Sequence, residues 1–300
     1  MLLNPTSIAS YLIILLPLSL IIGPFFSDLS VVIIDLIFFY FIIKNKQYEI
    51  FNNNLFKFLL LFNIYISIRS IFADDIFLSL KSSLPYLRFL ILIFAINYFL
   101  NKNKNLINHF SKSIIVIIIV LCIDALFQYI FGFNTLGFKI ENPDKLNGFF
   151  GDEAVLGSYL IRLFPLFIAS YFIVFKKKEN KFLFFSIFSL ISITIFFSGS
   201  RSSLALLFLF ITIFLLLFKS LRKEMLTLLI SVVVLIGLSS TLSEKIRYNI
   251  NYNLFDPIKT IFFQSKKSRT ENVKDKKIII FTQVYHTHYE TAYNMFKNNK

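Results

Sequence analysis

The 300-residue chain has no tryptophan, one cysteine, three histidines and eight glycines. The lone Cys122 lies inside an apolar run, which excludes a disulfide framework and a cysteine-based metal cluster. No glycine-rich phosphate loop and no solenoid-type repeat occurs in the chain. Tryptophan is absent, phenylalanine reaches 40, and lysine far outnumbers arginine. That pattern reads as the codon bias of an AT-rich genome, so the phenylalanine content carries little functional weight. The bias makes arginine informative. There are seven, and Arg69, Arg88, Arg162 and Arg201 fall inside or at the edges of apolar segments. His286 and His288 do not share a helix face at a spacing of two and have no third ligand nearby, so no metal is expected.

What the chain does contain is long hydrophobic runs. It is 56% hydrophobic with a mean hydropathy of +0.72. Repeated runs of this length imply a polytopic all-α membrane protein, because helices satisfy their own backbone in lipid. Nine spans are expected, near Ile8–Ile22, Leu29–Ile43, Leu55–Ile71, Leu84–Leu100, Ser113–Phe131, Ala154–Phe175, Phe182–Phe197, Ser203–Phe218 and Met225–Leu242. Gly23-Pro24 divides the short first pair into a tight helical hairpin. The first span has no basic leader and no small-residue cleavage site, so it reads as retained.

The net charge of +14 is read as lysine flanking of spans, not as a nucleic-acid surface. Loops on one side carry 13 basic residues and the alternate loops carry four. The richer side is expected in the cytoplasm, with the N-terminus. Residues 1–242 then form a transmembrane domain and 243–300 an extracytoplasmic segment. Within that segment, Tyr289, Ala292, Tyr293 and Phe296 make one apolar helix face, and Thr287 with Glu290 fits a capping box that would start the helix.

Two stretches carry the chemistry. Gly148–Pro165 opens on glycines and an acidic pair and runs into an apolar helix with Arg162 about two turns in. Ser198-Gly199-Ser200-Arg201-Ser202-Ser203 is a polar break about 40 residues later. The two are expected to meet at a membrane surface and hold an anionic lipid-linked substrate. Arg201 is either a cation aimed at a phosphate, with serines and Gly199 as further donors, or a headgroup anchor. Arg162 requires a partner such as Asp152, Glu153 or Asp124, or a polar cavity, since a guanidinium at membrane depth costs at least a few kcal/mol. Snorkelling serves Arg88 equally well. Asp152 and Glu153 fit the N-terminal end of a helix, where acids complement the dipole, better than they fit acid–base work. Asp35 and Asp124, inside apolar runs, are expected to form interhelical hydrogen bonds.

The Gly-Phe-Phe-Gly-Asp-Glu segment opening a span, the Ser-Gly-Ser-Arg turn and the long segment after the ninth span together resemble the O-antigen ligase/polymerase family of bacterial membrane glycosyltransferases. Leu16–Pro24 and Tyr86-Leu87-Arg88-Phe89 add to the likeness. The resemblance implies transfer of a glycan from undecaprenyl pyrophosphate to a sugar hydroxyl at the periplasmic face of the inner membrane. The acceptor would be lipid A–core or another repeat unit. No cofactor, metal or nucleotide sugar is implied. It assigns Arg201 to the pyrophosphate, more weakly joined by Arg162, Arg88 and Arg247, with Asp152, Glu153 and Ser200 in support. It also assigns a histidine of the large outer loop to catalysis, for which His288 is the candidate here. Family members continue through a Gly-x-Gly segment, a histidine motif and further spans, so the chain is expected to be truncated at Lys300. A flippase for lipid-linked oligosaccharide, without chemistry, is the alternative. It predicts repeated halves and broken helices, which the sequence does not show. A structural membrane subunit would leave Arg162 without a role.

Overall fold

The computed structural model describes residues 4–140, 145–175, 181–217 and 283–298, with single positions between 222 and 234. Among these residues the protein is helical and contains no strand; the nearest approach to one is an isolated antiparallel bridge between Phe133 and Lys139. The elements are α1 (Pro5–Ile22), α2 (Pro24–Asn45), α3 (Asn54–Ile71), α4 (Ile76–Ser83), α5 (Leu87–Lys102), α6 (Leu106–Phe131), α7 (Leu156–Val174), α8 (Lys181–Phe197), α9 (Arg201–Leu217) and a C-terminal helix, Gln283–Asn298.

Local signals account for where several of these begin and end. Asn4 caps α1 by accepting from the Thr6 N–H at 3.3 Å, and Pro5 takes the first helical position, where no N–H is needed. A single residue, Gly23, joins α1 to α2 at φ 148°, a conformation that side chains rarely adopt. Helix α6 stops where Gly132 turns left-handed at φ 83° and returns its N–H to the Gln128 carbonyl at 2.9 Å.

Among the described residues, six helices are long and apolar enough to cross a membrane: α1, α2, α3, the continuous run Ile76–Lys102, α6 and α7. That arrangement is compatible with a membrane protein. The fourth of them starts upstream of the expected Leu84, because the short turn Leu84–Tyr86 joins α4 to α5 without breaking the apolar run. Helices α8 and α9, expected as spans, have 17 residues each. At 1.5 Å per residue the described part of each is about 26 Å long. The ninth expected span, Met225–Leu242, lies almost wholly outside the described residues.

Two apolar cores form. Ile34, Phe38, Phe94 and Phe99 pack α1, α2 and α5 together, while Ile118, Leu160, Phe164 and Phe188 pack α6 through α9. Ser113 on α6 donates to the Ile14 carbonyl of α1 at 3.0 Å and links the two halves. Outside these cores, Leu36, Ile43, Phe62, Val116 and Leu217 are exposed on the helix faces, and α3 buries only Ser70. Apolar surface on this scale is unusual for a water-facing monomer.

The C-terminal helix starts at Gln283, not at Thr287. Thr287 therefore lies inside the helix and cannot cap it, and the expected capping box is corrected. Tyr289, Tyr293 and Phe296 are exposed along its expected apolar face.

Candidate functional site

Asp124 and Gln128 stand one turn apart on α6, so they share a face. Both are fully or almost fully buried. The Asp124 carboxylate accepts from the Thr135 N–H at 2.9 Å and from its hydroxyl at 2.6 Å. Gln128 Oε1 accepts from the backbone N–H groups of Asn147 and Gly148 at 3.2 and 2.8 Å. Its Nε2 donates to the Phe138 carbonyl at 3.3 Å. Asn134 then donates to the Gly148 carbonyl at 2.8 Å and accepts from the Leu136 and Phe138 N–H groups. Two consecutive inward polar residues thus fasten both ends of the α6–α7 connection to one helix. Asp124 was expected to bond between helices; it serves the connection instead, because the chain folds back over the last two turns of α6.

This anchoring sets the position of α7. Phe150, in the turn Gly148–Phe150, packs its ring 5.2 Å from that of Tyr159 on α7, and the Tyr159 hydroxyl donates to the Pro17 carbonyl of α1 at 2.5 Å. Tyr129 on α6 stacks on Phe197 at the end of α8, with ring centroids 4.4 Å apart. The starts of α7 and α9 then come together. A Cβ on Gly157, the second residue of α7, would overlap the Ser198 hydroxyl and lie 3.0 Å from Ser200 Cβ and 3.1 Å from Ser198 Cβ. The backbone approaches closely there because position 157 has no side chain.

Around this contact the hydroxyls form a chain. Ser200 Oγ lies 2.7 Å from Ser203 Oγ and 3.4 Å from Ser202 Oγ, and Ser203 Oγ lies 3.5 Å from Ser158 Oγ on α7. The buried Ser198 donates to the Ile195 carbonyl at 2.7 Å and accepts from the Ser200 N–H at 3.4 Å. Half-buried Arg201 is the first residue of α9. Two helix N-termini, each the positive end of a helix dipole, meet beside several hydroxyls, and Arg201 opens one of the two helices. That combination suits an anion with several oxygens, such as a phosphate.

The Gly148–Pro165 stretch and the Ser198–Ser203 turn therefore meet, as expected. Other predicted residues stand elsewhere. Arg162 is exposed on the outward face of α7, beside Pro165 and Leu166, and has no carboxylate at ion-pair distance among the described residues. Asp152 and Glu153 are exposed and precede the helix; α7 begins at Leu156, with Val155 at the cap and no side-chain bond there. They do not cap α7, which corrects that expectation. The turn at Gly148–Phe150 and the bends after it interpose several residues before the helix can start. Arg247 lies outside the described residues. His288 lies within the helix Gln283–Asn298, with its side chain outside what is described. Among the described residues no group of three His, Cys, Asp or Glu could hold a metal ion.

Sequence reasoning missed Gln128, Asn134 and Asn147. The available signal was the polar pair Asp124 and Gln128 at helical spacing in an otherwise apolar run.

Arg88 belongs to the other half of the bundle. Its guanidinium meets Asp28 of α2 at 2.9 Å and lies over the Phe89 ring at 4.8 Å. Buried Asp35, two turns further along α2, is also within electrostatic reach of Arg88. Neither Asp35 oxygen has a hydrogen-bond partner among the described residues, so its expected interhelical hydrogen bond is replaced by this charge interaction. Breaking a buried ion pair from one side costs roughly 3–5 kcal/mol, and less where the partners are partly exposed, as here. Arg88→Ala is accordingly expected to lower the melting temperature in detergent. Arg88→Ala/Asp35→Leu should recover part of the loss, because the stranded carboxylate is gone. A double variant no more stable than Arg88→Ala would show that Asp35 does not depend on Arg88.

Against family models, curated proteins and solved structures, the chain has no match.

Proposed function

We propose that the protein transfers a glycan from undecaprenyl pyrophosphate to a sugar hydroxyl at the periplasmic face of a bacterial inner membrane. The acceptor is lipid A–core in a ligation or another repeat unit in a polymerisation. The proposal includes nine spans, a cytoplasmic N-terminus set by the distribution of basic residues, and an outer segment after residue 242. The observation that carries it is the run of hydroxyls Ser158, Ser203 and Ser200, next in the chain to Arg201 at the head of α9, where Gly157 lets the starts of α7 and α9 touch.

In the proposed reaction the acceptor hydroxyl oxygen bonds to the anomeric carbon of the donor sugar. The bond from that carbon to the pyrophosphate oxygen breaks, and undecaprenyl pyrophosphate departs with the electron pair. Charge grows on the leaving oxygen, so fixed donors facing it contribute the largest catalytic effect. Arg201 and the serine hydroxyls take that role, and the acceptor proton passes to a base of the outer segment, for which His288 stands as candidate. Arg88 has an acidic partner in Asp28, so its charge is already engaged.

The test is reconstitution of the purified protein in liposomes with a polyprenyl-pyrophosphate-linked oligosaccharide and an acceptor glycan. Transfer by the wild type and at least a hundredfold less by Arg201→Ala, with insertion unchanged, is the expected outcome, on the order of losing one preorganised donor. Equal rates for the two proteins would remove Arg201 from the site. Movement of the donor across the bilayer without any product would replace the enzyme by a flippase.

A further inference from the structure

A second polar site lies at the opposite end of the bundle. There the start of α1 faces the turn from α5 to α6 across a cavity of about 650 Å³. Helix α1 contributes the hydroxyls of Thr6 and Ser7, and the α5–α6 side contributes Lys102 and His109. Phe99 and Leu106, both almost completely buried, form an apolar floor. None of the lining residues is acidic. The Lys102 ammonium, on the boundary of this cavity and the next, sits 3.8 Å from the centroid of the Phe41 ring and 5.6 Å from that of Tyr98, contacts that hold its flexible stem in place while leaving its N–H groups able to donate. A neighbouring cavity of about 710 Å³ shares Lys102 but sets Glu49 beside Lys46, so its charge is mixed. Both have basic, hydroxyl-bearing and apolar lining residues, and the first is the one of the two without an acid.

We propose that this cavity binds a phosphate-bearing anion, and that the phosphodiester headgroup of an anionic phospholipid is the source its apolar floor favours. Its volume falls in the range of ordinary ligand pockets, with room for a headgroup and the first part of an acyl chain. The phosphate oxygens meet Lys102, His109 and the α1 hydroxyls, while the chain lies along Phe99 and Leu106. Basic pockets between membrane helices recognise anionic headgroups by this division of labour. The lipid source rests on the membrane reading proposed above; the phosphate chemistry does not, and neither uses Arg201.

The experiment follows the melting temperature of the full-length protein in a neutral detergent, titrated with dioleoylphosphatidylglycerol, dioleoylphosphatidylcholine or sodium phosphate. Phosphatidylglycerol is expected to raise it and phosphatidylcholine is not. Lys102→Gln should weaken the apparent affinity for phosphatidylglycerol about fivefold, the effect of one basic residue near an anionic headgroup. Because Lys102→Gln also removes the Phe41 contact, the exposed His109→Gln carries the test independently, with an unchanged melting temperature before lipid is added and a weaker response after it. Arg201→Ala should keep the full response, which separates this site from the proposed transfer site. A shift with sodium phosphate alone, lost in the same variants, supports the site and assigns it a soluble ligand. Equal responses to the two lipids, or an undiminished response in both Lys102→Gln and His109→Gln, would overturn the proposal.

Discussion

Gly157→Ala is expected to destabilise the protein and to abolish glycan transfer, although alanine is the better helix former. In an isolated helix the exchange would favour alanine by about 1 kcal/mol. Here the new methyl group overlaps the Ser198 hydroxyl and presses on the Cβ atoms of Ser198 and Ser200. Rotating Ser198 relieves one of these contacts at the loss of its 2.7 Å bond to the Ile195 carbonyl, and the two Cβ contacts remain. The start of α9 must then move away from α7. Overpacking of a tight contact costs typically about 1–3 kcal/mol, enough to outweigh the helix preference. The displacement also separates Ser158 from Ser203 and shifts Arg201, so activity should fall further than stability. Thermal unfolding in detergent and the transfer assay measure the two losses. Ser198→Gly removes two of the three clashing atoms, so Gly157→Ala/Ser198→Gly should recover part of the melting temperature. A Gly157→Ala protein as stable as the wild type would mean that α7 and α9 do not touch as described.

The second large effect is expected at Gln128. Gln128→Leu keeps the approximate volume and removes every polar atom of the side chain. Two buried N–H groups, on Asn147 and Gly148, lose their acceptor, and the Phe138 carbonyl loses a donor. Each buried group left unpaired costs about 1–3 kcal/mol, so the connection between α6 and α7 should detach before the helices separate. Gln128→Glu keeps an oxygen to accept from both N–H groups but loses the donor and buries a carboxyl one turn from Asp124, so it should hold the connection better than Gln128→Leu while still costing stability. Limited proteolysis between Gly132 and Gly151, with the melting temperature, distinguishes them. Indistinguishable behaviour of the Leu and Glu variants would show that the hydrogen bonds of Gln128 do not hold the connection in place.

Both predictions concern residues that carry no charge and resemble no catalytic motif. The residues of the candidate site were legible because polar groups stand out in an apolar chain: Arg201 among serines is conspicuous anywhere in this sequence. Their supports were less so. Gln128 is one polar residue near a helix end, where water or a headgroup would satisfy it equally well, and only the placement of Phe138, Asn147 and Gly148 against α6 gives it three backbone partners. Gly157 has no side chain to signal anything. Its function is the space it leaves, which is defined by Ser198 and Ser200 about 40 residues away.

The amino-acid sequence by itself determined the helices and the polar breaks between them, since long apolar runs must satisfy their backbone internally and glycine, serine and charge mark where they break. Five of the nine expected spans match described helices within about three residues at each end, α2 and α6 start five and seven residues before the expected Leu29 and Ser113, and the span expected from Leu84 belongs to a longer apolar run. Only the tertiary structure decided which face each side chain occupies. In a helix that is apolar almost all round, the 3.6-residue period does not say which side meets protein. Arg162 therefore turned out to face away from the bundle, Arg88 to pair with Asp28, and Asp124 to hold a loop. Those outcomes depend on which helices become neighbours, and that choice is made by the packing of Phe, Ile and Leu faces that look alike in the sequence.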